Sequence, residues 1–262
     1  MIAMVTGASR GVGRGIALAL GEAGAKVFLT GRSGEALESA AEEIRRRGGE
    51  AVPCVCDHTD DAQVEAAFAR VERLDVLVNN VWGGYENHPN GLGMDPFWKL
   101  PLDDWDGMFT RGLRAHIAAS RLAIPKMIKG KRGLIVNTIA WLGGKYLRHL
   151  YYDLSKQACA RLAYALSLEL KPHKVAAVAL APGFVRTEAV MAAHARHPFD
   201  LSATESPEYI GRAVAHLARD PEVLRWSGQV LTAGQLAKEY GFTDVDGKQP
   251  PAFEMPEGFG LD

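Results

Sequence analysis

The chain has 262 residues, 30 basic against 31 acidic, a formal net charge of −1 and 47% hydrophobic residues. That balance excludes the electrostatic footprint of a nucleic-acid or anionic-membrane binder. The apolar runs are only strand-length, so no segment is expected to span a bilayer. The length suits one large α/β domain, with residues 1–240 as the domain and 241–262 as a C-terminal tail or arm.

Met1 to Val5 reads straight into a strand, with no charged region leading a long apolar run and a cleavage site, which sets a cytoplasmic expectation. Strand candidates follow at Ile2–Val5, Lys26–Thr30, Ala51–Cys56, Val76–Asn79, Gly133–Thr138, Val175–Leu180 and Gln229–Leu231. Amphipathic, Ala-rich helices are expected near Gly13–Ala23, Gly34–Arg47, Asp60–Arg73, Leu102–Ile128, Tyr151–Leu170 and Pro207–Arg219. Continuous apolar strands separated by helices imply a Rossmann-type, doubly wound α/β fold: about seven parallel strands flanked by helices. Gly48-Gly49 stops the second helix after three arginines, and Ser206-Pro207-Glu208 starts another. Two long irregular stretches, Trp82–Pro101 and Phe184–Glu205, read as lids or binding loops. The three cysteines, Cys54, Cys56 and Cys159, form no CxxC pair. Cys54 and Cys56, in an apolar run, read as buried small hydrophobes, with no metal site expected.

The first strand enters Thr6-Gly7-Ala8-Ser9-Arg10-Gly11-Val12-Gly13-Arg14-Gly15-Ile16. Gly7, Gly11 and Gly13 supply a tight turn, close backbone approach to a pyrophosphate and helix–strand packing. The helix that follows offers free N–H groups and its positive end to phosphate, which makes Ser9, Arg10 and Val12 neighbours of the cofactor. At the end of the second strand stands Thr30-Gly31-Arg32, with no acidic residue to accept from a ribose 2′-hydroxyl. Arg32, with Arg10 from the glycine turn, suits a 2′-phosphate, so NADP(H) is favoured over NAD(H).

Further motifs come in order: Asn79-Asn80, Tyr152-x-x-x-Lys156 and Pro182-Gly183. Over about residues 1–235 the chain resembles the short-chain dehydrogenase/reductase superfamily. Gly112-Leu-Arg-Ala-His116 and the tail from Tyr240 to Gly247 resemble its dehydrogenase/reductase family member 1 subgroup. The resemblance implies that Asp57 meets the adenine and that Asn79 supports the sheet and the adenosine ribose. It implies that Pro182, Gly183, Val185 and Thr187 line the nicotinamide end. It also implies a homodimer or homotetramer through the fourth and fifth helices.

Tyr152 and Lys156 lie four apart on an expected helix and share one face. An ammonium near the phenol lowers its pKa, and the phenol can then exchange a proton with a carbonyl or alcohol oxygen while hydride moves. The superfamily adds a serine after the fifth strand and an asparagine in the fourth helix. Here Ala140, or Ile139 in the other register, stands for the serine, and Gly112 for the asparagine. Thr138 lies two strand residues off. The enzyme is then slow, or another donor (Tyr146, His149, Tyr151 or a water) replaces the serine, or the protein binds NADP(H) without turnover. His116 lies one turn beyond Gly112 and reads as structural or as a substitute.

Trp82, Tyr85, Phe97, Trp98, Trp105 and Trp141 point to an aromatic-walled pocket, or in part to core and subunit contacts. The expected substrate is a small hydrophobic carbonyl or alcohol. The competing readings are a catalytically degenerate NADP(H)-binding sensor or scaffold, and hydration, lyase or epimerase chemistry on the same fold.

Overall fold

The computed structural model describes residues 1–254 apart from 87, 89, 90, 94 and 142. Its apolar runs become seven parallel strands in the order β3-β2-β1-β4-β5-β6-β9. These are β1 (Ile2–Thr6), β2 (Lys26–Gly31), β3 (Glu50–Val55), β4 (Val76–Asn79), β5 (Gly133–Thr138), β6 (Val175–Ala181) and β9 (Val230–Thr232). β7 (Phe184–Val185) and β8 (Thr204–Glu205) form a separate parallel pair. Every residue of β4, β5 and β6 is buried, the burial that parallel strands covered on both faces require. The strand order turns outward from β1 in both directions, which opens a crevice at the carboxyl ends of β1 and β4.

The helices are α1 (Gly11–Glu22), α2 (Gly34–Arg46), α3 (Asp61–Ala69), α4 (Ala115–Gly130), α5 (Leu150–Leu170), α6 (Glu188–Arg196), α7 (Pro207–Arg219) and α8 (Ala233–Tyr240). One face of the sheet buries Ile16, Leu37, Ile44, Val214 and Leu236 of α1, α2, α7 and α8. The other buries Val64, Phe68, Ala119, Met127 and Leu166 of α3, α4 and α5. Ser33, Asp60, Ser206 and Thr232 each cap a helix by accepting a backbone N–H. Among the described residues no helix is long and apolar enough to cross a membrane.

Three expectations need correction. The helix read as Leu102–Ile128 begins at Asp104, winds in wide π-type turns over Asp106–Arg114 and continues as α4 to Gly130. The helix read as Asp60–Arg73 ends at Ala69. The stretch 184–205, read as irregular, carries β7, α6 and β8. α6 buries no residue, so it has no apolar stripe to announce it, although Thr187 caps it as an N-cap residue should.

The tail is tied to the body as far as Phe253, and residues 255–262 lie outside the described residues. Buried Asp244 accepts from the Ser206 backbone N–H at 2.8 Å, from the Ser206 hydroxyl and from Arg186 at 3.1 Å. Tyr209 donates to the Pro250 carbonyl at 2.8 Å. All three cysteines are buried and free.

α1 and α7 cross at bare backbone. A Cβ on Gly15 would sit 2.3 Å from the Pro207 carbonyl carbon, and one on Gly211 2.5 Å from the Gly15 oxygen. Gly15→Ala therefore forces the helices apart, with an expected loss of about 1–3 kcal/mol in urea unfolding. An unchanged midpoint would show that the crossing is looser than described.

Candidate active site

β1 delivers the glycine turn to the carboxyl edge of the sheet. Gly7 and Gly11 adopt φ of +67° and +57°, in the left-handed region that side chains avoid. Gly13 lies so close beneath the turn that a Cβ would be 2.2 Å from the Gly7 oxygen and 2.4 Å from the Asn80 amide nitrogen. Asn80 fixes this contact: its side-chain amide donates to the Thr6 and Gly7 carbonyls, each at 3.1 Å. Ser9 lies against Gly31, Arg10 is exposed before the first turn of α1, and Val12 packs on the core. Gly11 N–H donates to the Glu188 carboxylate at 2.9 Å, and a Cβ on Gly11 would touch Thr187 at 3.5 Å. The turn and the expected nicotinamide contact thus close on one another.

At the end of β2, Arg32 holds the Glu86 carboxylate together with Arg111, which donates to it at 2.6 Å. Asp57 accepts from the Thr59 backbone N–H at 2.9 Å and its hydroxyl at 2.8 Å. Those bonds hold the Asp57 carboxyl below its ordinary pKa, and they make it the stop of a turn as well as a neighbour of Arg32. Asn79 is not on the crevice surface. Fully buried, it donates to Ser120 and Asn137 at 2.9 Å each, a strut inside the sheet. Gly183 N–H donates to Glu205 at 2.8 Å, beside Pro182, while Val185 is buried in β7. Burial pushes the Glu205 carboxyl up to about 7.

Tyr152 and Lys156 stand on the first turns of α5. The Lys156 ammonium lies 3.7 Å from the centre of the Trp82 ring and 5.7 Å from that of Tyr152. Burial lowers Lys156 to about 8 and raises the Tyr152 phenol well above its usual value. The expected lowering of Tyr152 by the ammonium does not occur: desolvation and the neighbouring Tyr85 hydroxyl raise it, and the lysine faces the indole.

Gly112, in the wide turns, is where that indole lodges: a Cβ there would be 2.8 Å from Trp82. Gly84 borders the same slot, with a Cβ 2.5 Å from the indole and 2.9 Å from Met108. Trp82 packs edge-on to Tyr152 at 5.7 Å and to Tyr85 at 6.2 Å between ring centres. The Tyr85 hydroxyl reaches that of Tyr152 at 3.3 Å.

None of the residues weighed for the serine's place meets that hydroxyl. Ile139 is buried against Cys159 and Ala163, and Thr138 donates back to the Asn79 carbonyl at 3.3 Å. Ala140 has no polar group. Tyr146 lies near Asp153, and the Tyr151 ring lies against that of His149. His149 caps α5, its Nδ1 accepting the Tyr152 N–H at 3.4 Å. That leaves its proton on Nε2, 3.4 Å from Asp104, whose other oxygen lies 2.7 Å from His88 Nε2. Asp104 thus lies between two imidazoles, hydrogen-bonded to His88 in the loop after β4, while its second oxygen and His149 Nε2 are buried without a hydrogen-bond partner among the described residues. His116 is structural: buried, its Nε2 lies 3.1 Å from the Val81 carbonyl and its Nδ1 3.5 Å from the Cys159 sulfur.

Of the six aromatics expected at the pocket, Trp82 and Tyr85 gather at Tyr152. Phe97, Trp98 and Trp105 are exposed, and Trp141 packs on the Ile139 cluster. The sequence reading missed Glu86 and Glu188 as carboxylates set on the anion-binding donors. It placed Trp82 and Tyr85 at the pocket only as two of six aromatics, without their packing on Tyr152. The signal for the turn was Trp-Gly-Gly-Tyr directly after a strand end in the crevice.

A family model for short chain dehydrogenases matches residues 1–197. The chain belongs to this family. Mouse dehydrogenase/reductase SDR family member 1 is 40% identical across 94% of the chain and 84% of that protein. A crystal structure of a metagenomic short-chain oxidoreductase in complex with NADP superposes with a TM-score of 0.71 at 31% identity, covering 88% of this chain and 96% of that one. A 7α-hydroxysteroid dehydrogenase complexed with NADH gives 0.75 at 25%, covering 95% and 94%. The donors here fit an anionic dinucleotide, because the Gly11 N–H and the Arg32–Arg111 pair each already hold a carboxylate.

Burial lowers His58 to about 4 and His116 to about 3. Unfolded, each takes a proton near pH 6.5; folded, neither does until far lower, so stability is lost as pH falls below 6.5. Glu205 titrates in the opposite sense between 4.5 and about 7. In a Glu205→Gln background, unfolding free energy should fall by about 2 kcal/mol per histidine between pH 7.5 and 5. His116→Gln should remove one such share, and an unchanged slope would refute its buried neutral state.

Proposed function

We propose that this oxidoreductase is an NADP(H)-dependent reductase of hydrophobic aldehydes or ketones in which Tyr152 protonates the carbonyl oxygen. The observation that carries the reading is the placement of Tyr152 and Lys156 on one face of α5, at the carboxyl edge of the sheet across from the glycine turn. The raised Tyr152 pKa keeps the phenol protonated at neutral pH, the state that a proton donor to a carbonyl needs. Lys156, lowered to about 8, still carries its charge there in most molecules.

The cofactor, when bound, supplies the hydride. Gly7, Ser9, Arg10, Gly11, Val12 and Gly13 would hold its pyrophosphate, Arg32 and Arg10 its 2′-phosphate, and Asp57 its adenine. Lys156 would meet the ribose, and Pro182, Gly183, Val185 and Thr187 the nicotinamide, with Asn79 supporting from within. Glu86 and Glu188 would give up their donors to phosphate oxygens. Trp82 and Tyr85 give the substrate an aromatic wall, which favours hydrophobic carbonyls.

The same reading carries a homodimer or homotetramer in the cytoplasm. Ile117 on α4 and Leu154, Tyr164 and Leu168 on α5 leave large apolar side chains exposed where a second copy would cover them. A second reading, a cofactor-binding sensor without turnover, is favoured by the absence of a serine donor after β5.

NADPH oxidation with a panel of aromatic aldehydes and ketones separates the two. Turnover that drops about 10²–10⁴-fold in Tyr152→Phe, with NADPH affinity retained, supports the reductase. NADPH binding with no turnover supports the sensor.

A further inference from the structure

Two phenol hydroxyls 3.3 Å apart can both donate to one oxygen placed about 2.8 Å from each, within ordinary hydrogen-bond geometry. A carbonyl oxygen at the mouth of the crevice is such an acceptor. We infer that Tyr85 supplies the second hydrogen bond to the substrate's carbonyl oxygen, taking the place of a serine that β5 does not provide. The inference rests on the carbonyl-reductase reading, whose substrate contact it completes.

The geometry is specific. The Tyr85 hydroxyl contacts the Tyr152 hydroxyl, while Thr138 and His149 are turned toward other partners and Ile139 and Ala140 have no donor. Tyr85 is held there by the fold of its own turn. Gly83 and Gly84 let the backbone collapse onto the wide helix. A Cβ on Gly83 would be 2.7 Å from the Arg111 side chain, and one on Gly107 3.0 Å from the Gly83 oxygen. Trp82 fills the space left by Gly112 and braces the rings of Tyr85 and Tyr152. Glu86, next in sequence, anchors the turn to Arg111 and Arg32.

Tyr85 is half exposed, at 50%, so the turn that carries it faces solvent. In the reaction, hydride adds to the carbonyl carbon, the C=O π pair moves to oxygen, and Tyr152 passes its proton to that oxygen. Tyr85 donates a hydrogen bond throughout and keeps its own proton. A preorganised donor of this kind acts on the developing alkoxide more than on the neutral carbonyl, so its loss falls on kcat more than on KM.

The test is Tyr85→Phe, which keeps the ring contacts with Trp82 and Tyr152, compared with wild type and Tyr152→Phe. One readout is kcat and KM for aromatic aldehyde reduction. The other is calorimetric affinity for benzamide, a carbonyl that cannot be reduced here, in the NADPH-loaded protein. The expected result is a kcat about 10²–10³-fold lower, with KM and NADPH affinity nearly unchanged. Benzamide should bind about three- to tenfold more weakly in either variant.

In an enzyme that turns over, a Tyr85→Phe kcat near wild type overturns the inference and leaves the reductase reading standing. If the wild type reduces no carbonyl but benzamide affinity depends on both hydroxyls, the reductase reading falls and the two-donor site stands. If affinity in that case is indifferent to Tyr85, or benzamide does not bind, both are overturned.

Discussion

The structure depends on one contact, the passage of α1 beneath its own glycine turn. Gly13 sits where no side chain fits, between the Gly7 carbonyl and the Asn80 amide. This brings the ends of β1 and β4 together and aims the first turn of α1 at the crevice. Asn80 completes it by bonding two carbonyls of the turn, while the Thr6 hydroxyl accepts from the Asn80 and Val81 N–H groups at 2.9 and 3.1 Å. The phosphate end of the site and the chain that leads into Trp82 and Tyr85 are thus one rigid construction.

The chemistry at the far side follows from what that chain does next. After β4 it turns at Gly83-Gly84, drops an indole into the space over Gly112 and brings a second phenol to Tyr152. Under the proposed reading, the two departures expected from the sequence are connected. The bare backbone at Gly112 leaves the space that the loop's indole uses, and the same loop carries the Tyr85 hydroxyl proposed to stand in for a serine after β5. The π-type turns at Asp106–Arg114 widen the helix at this point, a distortion that often marks functional sites.

The parallel sheet was legible because its strands are continuous apolar runs, and β4 and β5 match their expected bounds residue for residue. That Tyr152 and Lys156 share one helix was legible from their spacing. α6 was not, because it buries nothing and so leaves no periodic trace. Asn79 illustrates a different limit. Adjacent asparagines look alike in sequence, but strand alternation sends one into the core and the other to the turn. Tyr85 was visible only as one aromatic among six, since its role comes from a loop conformation set by glycines far apart in the chain. Glu86 and Glu188 were hidden for a similar reason: each meets its donors across long sequence separations.

The central claim is that this crevice is built for a phosphorylated nicotinamide dinucleotide. Calorimetric titration of the folded protein with NADPH and with NADH tests it most directly. The account predicts one NADPH site per chain, with NADH weaker by about tenfold or more, the share of a charge-assisted bond to the 2′-phosphate. Absence of binding heat for both nucleotides at several temperatures, in protein that unfolds cooperatively, would contradict it.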